Sequence, residues 1–286
     1  MRYGVIDIGT NSCRLLIADL KAEQIFPVYR ALKTNRFSLG MKNNSFITDE
    51  MITRTCQCLD EFKNIIAEHE VDSYKVIATS AVREAENKAE FIRLVKKRCN
   101  IYIEVITGEE EAYLSYIGVK NGLGLKTSPL VVDLGGGSTE VIFEQDFIQS
   151  LPVGAVRVQE MNMSKHDISQ ALKPLLGKKD EFIDNHLVFV GGTATSAVAI
   201  KFALEVYSSK FVHGKILTRQ ELADLFNSLE KMPLSIRKSL PGLHPERADI
   251  INDGILIILM IMDIYNKQEM IVCESDLMEG IILSGF

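Results

Sequence analysis

LVVDLGGGSTEVIF, Leu130–Phe143, is two runs of β-forming residues joined by a turn of glycines and a serine. Aliphatic and branched residues on both sides suit a pleated, buried surface, and Gly135–Ser138 supplies the tight reversal between them. Phe147–Leu151 continues as a third strand. The start of the chain has the same order: Tyr3–Ile8, the turn GTNS at Gly9–Ser12, then Cys13–Asp19 and Ile25–Arg30. An aspartate precedes each turn, so Asp7-Ile8-Gly9-Thr10-Asn11-Ser12 stands against Asp133-Leu134-Gly135-Gly136-Gly137-Ser138. Further on, Ile77-Ala78-Thr79-Ser80 and Val190-Gly191-Gly192-Thr193 occupy matching later positions. One matching turn arises by chance. Several anchors in one order predict a duplicated α/β chain, two similar lobes facing each other with ligands in the central cleft.

The segments between the anchors fit that plan. Thr48–Glu68 reads as a helix with Met51, Ile52, Thr55, Leu59, Phe62, Ile65 and Ile66 on one face. A strand at Tyr74–Thr79, one helix over Arg83–Arg98, a strand at Ile101–Val105 and a helix from about Glu109 complete the first half. The second half adds strands at Leu187–Val190 and Met270–Cys273 among helices, and ends on a helix. Asn121–Ser128, NGLGLKTS, is the clearest connector between the halves.

Bulk properties narrow the function. A chain of 286 residues, 47% hydrophobic and 24% charged, has the balance of a globular protein. Its net charge of −6 argues against a nucleic-acid partner held by bulk electrostatics. The longest apolar run, Ile255–Met262, reads as a buried helix and is too short to cross a membrane. The N-terminus shows no charged-then-apolar export pattern, and five scattered cysteines suggest neither a disulfide framework nor a zinc site. A reducing cytoplasm is the expected location. His69, His166, His186, His213 and His244 have no ligand spacing.

Local groups must therefore do any binding. Glycine turns present backbone N–H groups to a phosphate and let it approach closely. Gly9, Thr10, Asn11 and Ser12 form one such loop and Gly135, Gly136, Gly137, Ser138 and Thr139 the other, with Gly192 and Thr193 at the later anchor. An aspartate at a strand end beside such a loop either caps the turn or holds Mg²⁺; two in matching positions point to the metal role for Asp7 and Asp133. Gly108-Glu109-Glu110-Glu111-Ala112 opens a helix, where acids favour the dipole by ~0.3–1 kcal/mol each. One of these carboxylates at the cleft edge is placed to activate a water. Arg14, Arg36, Arg83 and Arg157 stand beside the anchors, and Arg83, just after Thr79-Ser80-Ala81-Val82, is the best placed for phosphate oxygens.

These residues resemble the exopolyphosphatase / guanosine pentaphosphate phosphohydrolase (Ppx/GppA) family, within the actin-like, sugar kinase–Hsp70 fold. The similarity runs through VIDIGTNSCRLLI (Val5–Ile17), IATSAVREAEN (Ile77–Asn87), ITGEEEAYLSYIGV (Ile106–Val119), VVDLGGGSTEVIF (Val131–Phe143), SLPVGAVRVQE (Ser150–Glu160) and VGGTATSAVA (Val190–Ala199). HGKIL (His213–Leu217) and LPGLHPERADIINDG (Leu240–Gly254) extend it. The resemblance implies two RNase H-like lobes, over 1–120 plus 275–286 and over 121–274, without the helical HD-like C-terminal domain of long members. It implies a catalytic glutamate in the Glu110-Glu111 pair, with Glu111 chosen, metal-binding carboxylates at Asp133 and Glu140, and a phosphate-binding arginine at Arg83. The family pattern around Arg36 is broken here by Phe37-Ser38 before Leu39-Gly40.

The expected reaction is Mg²⁺-assisted attack of water on a terminal phosphoryl group. Inorganic polyphosphate is the leading substrate and guanosine pentaphosphate the second. No basic run exists to form a long channel, so short chains and release after each cleavage are expected. The rivals are an ATP-dependent phosphotransferase of the same superfamily, with an adenosine pocket near Gly191–Thr195, and a non-catalytic alarmone-binding regulator. A homodimer is an admissible assembly.

Overall fold

The structure, a computed structural model, describes residues 1–34 and 46–285. Arg36 lies outside the described residues. The first half runs β1 (Arg2–Ile8), β2 (Ser12–Lys21), β3 (Gln24–Thr34), α1 (Asp49–Glu68) and β4 (Ser73–Ala78). It continues with α2 (Ser80–Glu84), α3 (Lys88–Cys99), β5 (Glu104–Val105) and α4 (Gly108–Leu123). The second half opens with β6 (Leu130–Leu134), β7 (Thr139–Phe143), β8 (Phe147–Leu151), α5 (Ala155–Met161) and α6 (Lys165–Leu172). Then come β9 (Leu187–Val190), α7 (Gly192–Lys201), α8 (Ser209–Val212), β10 (Ile216–Thr218) and α9 (Arg219–Lys231). The short α10 (Leu234–Arg237), the apolar α11 (Ile251–Ile264), β11 (Glu269–Val272) and α12 (Leu277–Ser284) finish it.

The two halves form two sheets of one strand order. The first is β3-β2-β1-β4-β5, and the second is β8-β7-β6-β9-β11 with β10 added at its edge. In each, the first three strands are antiparallel neighbours and the next two join in parallel through helical crossovers. Parallel central strands are covered on both faces, which is why β1 and β6 read as nearly continuous apolar runs. Val5, Ile6 and Ile8, and Leu130, Val131 and Val132, are wholly buried. Each aspartate then emerges at the C-terminal end of a central strand, where open α/β sheets bind ligands.

Helix α1 follows its expected face: Thr48 accepts from the Met51 N–H at 3.3 Å, and Met51, Ile52, Leu59, Phe62 and Ile66 are buried. The expected single helix Arg83–Arg98 is instead two. Ala85 takes an extended backbone, and the Asn87 amide bonds both the N–H and the C=O of Ile47, at 2.8 and 2.9 Å, fixing the break. The expected strand Ile101–Val105 shortens to its last two residues. The connector starts later than expected because α4 persists to Leu123, where Gly124 takes the left-handed conformation that ends it. The division anticipated after residue 120 falls inside this helix. The antiparallel pairing of β10 with β11 was not anticipated.

Two helices swap sides. Helix α4 lays Ala112, Tyr116 and Val119 on the second sheet, against Val131, Ile142 and Val188. Helix α12 lays Leu277, Met278, Ile281 and Ile282 on the first sheet, against Val5, Leu16 and Ile77. The two cross at glycines: a Cβ on Gly118 would overlap the Asp276 carbonyl, and one on Gly280 would overlap the Leu114 carbonyl. The apolar α11 is the buried spine of the second core, and among the described residues no helix is long and apolar enough to cross a membrane.

The crossing is testable. Gly280→Ala should lower the unfolding free energy by about 1–3 kcal/mol, the cost of overpacking against backbone that cannot retreat. Gly177→Ala, whose Cβ meets nothing within 4 Å, should stay within about 0.5 kcal/mol of wild type. Urea denaturation of both measures the difference.

Candidate functional site

A cavity of about 750 Å³ opens between the sheets, walled by both glycine turns, by Asp7, Asp133 and Glu111, and by Gly192 and Thr193. The turns close alike: Gly9 N–H donates to the Ser12 carbonyl at 3.0 Å and Gly135 N–H to the Ser138 carbonyl at 3.1 Å. They also touch one another. A Cβ on Gly137 would stand 2.6 Å from Ser80 Oγ and 2.7 Å from Thr10 Oγ1, so only glycine permits this approach.

The carboxylates at the cavity are buried or, for Asp133, half-buried, and loss of water dominates their chemistry. Asp7 Oδ2 accepts from Arg14 Nε at 3.0 Å and Nη2 at 2.8 Å, while its Oδ1 is buried with no hydrogen-bond partner. Burial raises its pKa and Arg14 opposes the rise. Arg14 also donates to Asp276, which caps the first turn of α12. Asp133, at the end of β6, is pushed up to about 6 by burial, then by the charge of Asp276, against a 2.6 Å hydrogen bond from Ser115. Glu140 stands opposite Asp133 in the β6–β7 register and is pushed up to about 7 by burial, then by Asp133. It accepts from Ser150 Oγ at 2.7 Å.

The glutamates of the GEEEA turn separate by role. Glu110 caps its helix: its carboxylate accepts from Thr107 N–H at 2.8 Å and from Thr107 Oγ1 at 3.0 Å, in solvent. Glu111 is buried at the cavity wall and accepts from Arg83 Nη1 at 2.8 Å. Burial, then Glu140, raises its pKa well above the carboxylate range, and Arg83 opposes them. Arg83 bonds the Ile106 carbonyl at 3.2 Å and lies 3.9 Å from Glu140. Two expected phosphate contacts are thus engaged with acids: Arg14 bridges Asp7 and Asp276, and Arg83 bridges Glu111 and Glu140. Thr139 is withdrawn from the cavity, its hydroxyl donating to the Val153 carbonyl at 2.5 Å. Glu140 and Arg83 sit behind the cavity wall rather than in it.

An ion between the turns is compatible with these donors. Asp7 offers a buried oxygen without a partner, beside Asp133, and Mg²⁺ commonly takes one or two carboxylates with water and phosphate for the rest. Among the described residues no group of three or more His, Cys, Asp or Glu could hold an ion alone, so substrate or water oxygens would complete its shell.

The cavity wall also contains residues not picked from the sequence. Asp276 was legible as an Asp-x-x-Glu capping box with Glu279. Arg247, packed where a Cβ on Gly192 would overlap its guanidinium, and Glu274, held by the Tyr207 hydroxyl, gave no local signal.

Comparison with known proteins agrees with the geometry. The Ppx/GppA phosphatase family model matches residues 16–286. A bifunctional 3-dehydroquinate synthase/phosphatase of Fusobacterium nucleatum is 34% identical over 98% of this chain, which spans only 46% of that relative. Exopolyphosphatase 2 of Mycobacterium tuberculosis is 29% identical over 99% of this chain and 98% of its own length. The solved Ppx/GppA enzyme of Aquifex aeolicus superposes with a TM-score of 0.81 at 30% identity, covering 99% of both chains. An exopolyphosphatase from Cytophaga hutchinsonii gives 0.89 at 27%, covering 100% of this chain and 98% of its own.

The buried acids set a pH signature for metal-free protein. Asp133 and Glu140 bind protons more tightly folded than unfolded, so their protonation stabilises the fold below about pH 4. That contribution is lost as pH rises through about 6 for Asp133 and about 7 for Glu140. Melting temperature in chelator should therefore fall between pH 5 and pH 8, as thermal scans would record, and Asp133→Asn should flatten the fall.

Proposed function

This chain belongs to the Ppx/GppA phosphatase family, and from that premise we propose that it hydrolyses the terminal phosphoryl group of inorganic polyphosphate in its central cleft. The observation that supports this most is Glu111: a buried carboxylate held by Arg83 on a cavity wall shared with two glycine turns and two strand-end aspartates. The near full-length likeness to an exopolyphosphatase adds to it.

In this reading the amides of Gly9–Ser12 and Gly135–Ser138 hold the terminal phosphate, and Thr193 lines the same cavity. Glu111 orients a water and takes its proton as the oxygen attacks phosphorus, and the shortened chain leaves with the bridging oxygen. Burial raises its pKa, which makes the carboxylate a stronger proton acceptor than one in solvent. Arg83 keeps the carboxylate aimed. Asp7 and Asp133 would hold Mg²⁺, which when bound neutralises phosphate charge. Glu140 sets the local field behind Glu111. Guanosine pentaphosphate, whose terminal phosphate offers the same anhydride, is the second substrate of this reading.

Glu111→Gln should leave the melting temperature near wild type and lower kcat by about 10²–10⁴-fold, the usual value of a positioned base. Glu110→Gln should cost only about 1 kcal/mol of stability, as a cap does, with kcat nearly unchanged. The converse pattern would transfer the base role to Glu110.

With Mg²⁺ and a defined long polyphosphate, wild type should release orthophosphate and leave a ladder of intermediate lengths on a gel. Full-length substrate persisting beside free phosphate would show processive digestion and contradict the short-chain preference. Phosphate transfer from ATP to an acceptor, or alarmone binding without turnover, would replace the hydrolase reading.

A further inference from the structure

Arg157 stands beside the second glycine turn, and its guanidinium bonds Gly137 and Glu84. Nε donates to the Gly137 carbonyl at 2.5 Å, and Nη2 donates to Glu84 Oε1 and Oε2 at 2.7 and 2.6 Å. Glu84 belongs to the other half of the chain, at the end of α2, and its Oε1 also accepts from Ser80 Oγ at 3.0 Å. Ser80, with Thr10, is what a side chain on Gly137 would strike. A closed circuit of Gly137, Arg157, Glu84 and Ser80 therefore spans the cleft where the two turns meet. The start of α5 reinforces it, since the Val156 and Arg157 amides both donate to the Gly136 carbonyl at 2.9 Å.

Glu84 is next in sequence to Arg83. Helix α2 is one short turn, so fixing one of these side chains limits the freedom of the other. Arg157 thus grips Glu84, and the residue before it, Arg83, holds Glu111. We propose that Glu84 and Arg157 form a clasp that closes the cleft over a bound phosphate and, by fixing α2, positions Arg83 against Glu111. The mechanistic half of this rests on the hydrolase reading above; the closure half does not. Glu84 is half-exposed, so the pair is screened by salt and modest in strength, which suits a contact that must open and close in each turnover.

The test uses Glu84→Gln, Arg157→Gln and the swap of Glu84→Arg with Arg157→Glu, each followed by hydrogen exchange without substrate and by steady-state kinetics. Glu84→Gln should speed exchange of the Gly135 and Val156 amides by about fivefold and lower kcat by a similar factor, with KM within about twofold. The swap should regain both losses in large part, a rescue that damage to packing would not allow. In wild type, raising NaCl from about 0.05 to about 1 M should speed the same exchange, and in Glu84→Gln it should not. Exchange unchanged in Glu84→Gln overturns the clasp, whatever the activity. A rise in KM with kcat intact also overturns it, since the residues would then be touching substrate. If wild type hydrolyses no polyphosphate, the proposed function fails while the exchange measurements still decide the closure.

Discussion

Arg14 and Arg83 each hold two carboxylates that the fold has taken out of water, and the rest of the site is arranged around that constraint. An uncompensated buried charge costs several kcal/mol, and a buried pair at best offsets its own desolvation. Asp7, Glu111, Glu140 and Asp276 are buried and Asp133 is half-buried. Arg14 joins the end of β1 to the cap of α12, so the last helix is fixed electrostatically to the first glycine turn. Arg83 joins α2 to α4 and faces β7. The pKa values of the acids stay raised in spite of this, which marks a site still short of positive charge. In the proposed reaction a divalent cation would supply what is missing.

Close approach is the second condition. The turns meet at Gly136 and Gly137, where a side chain would crowd Thr10, and α4 and α12 cross at Gly118 and Gly280, where a Cβ would overlap backbone. Each crossing puts a chain end where it is needed: the N-terminus of α4 presents Glu111 to the cleft, and the N-terminus of α12 presents Asp276 to Arg14. Site geometry and core packing thus depend on the same few backbone contacts.

Much of this was legible in the sequence because it is local or repeated. The strand-turn-strand anchors follow from β-formers around glycine turns, and their duplication foretold two sheets of one order. What failed was set by distant partners. The break between α2 and α3 depends on Asn87 reaching Ile47, 40 residues away, which periodicity does not register. The three-residue β10 owes its existence to β11, far along the chain. Arg14 lines the cavity as a phosphate-binding residue would, but its acid partners, Asp7 and Asp276, come from separate elements that no local pattern announces. The Thr107-x-x-Glu110 capping box was in the sequence and separates the two glutamates by helix physics alone; the choice of Glu111 came instead from family resemblance.

The central claim is that water attacks the terminal phosphorus. Hydrolysis of polyphosphate in water enriched in ¹⁸O, read by mass spectrometry of the products, tests it directly. Each released orthophosphate should carry one ¹⁸O, and the shortened chain none, after a single turnover. Label at the new chain end, or unlabelled phosphate appearing first on an acceptor, would contradict it.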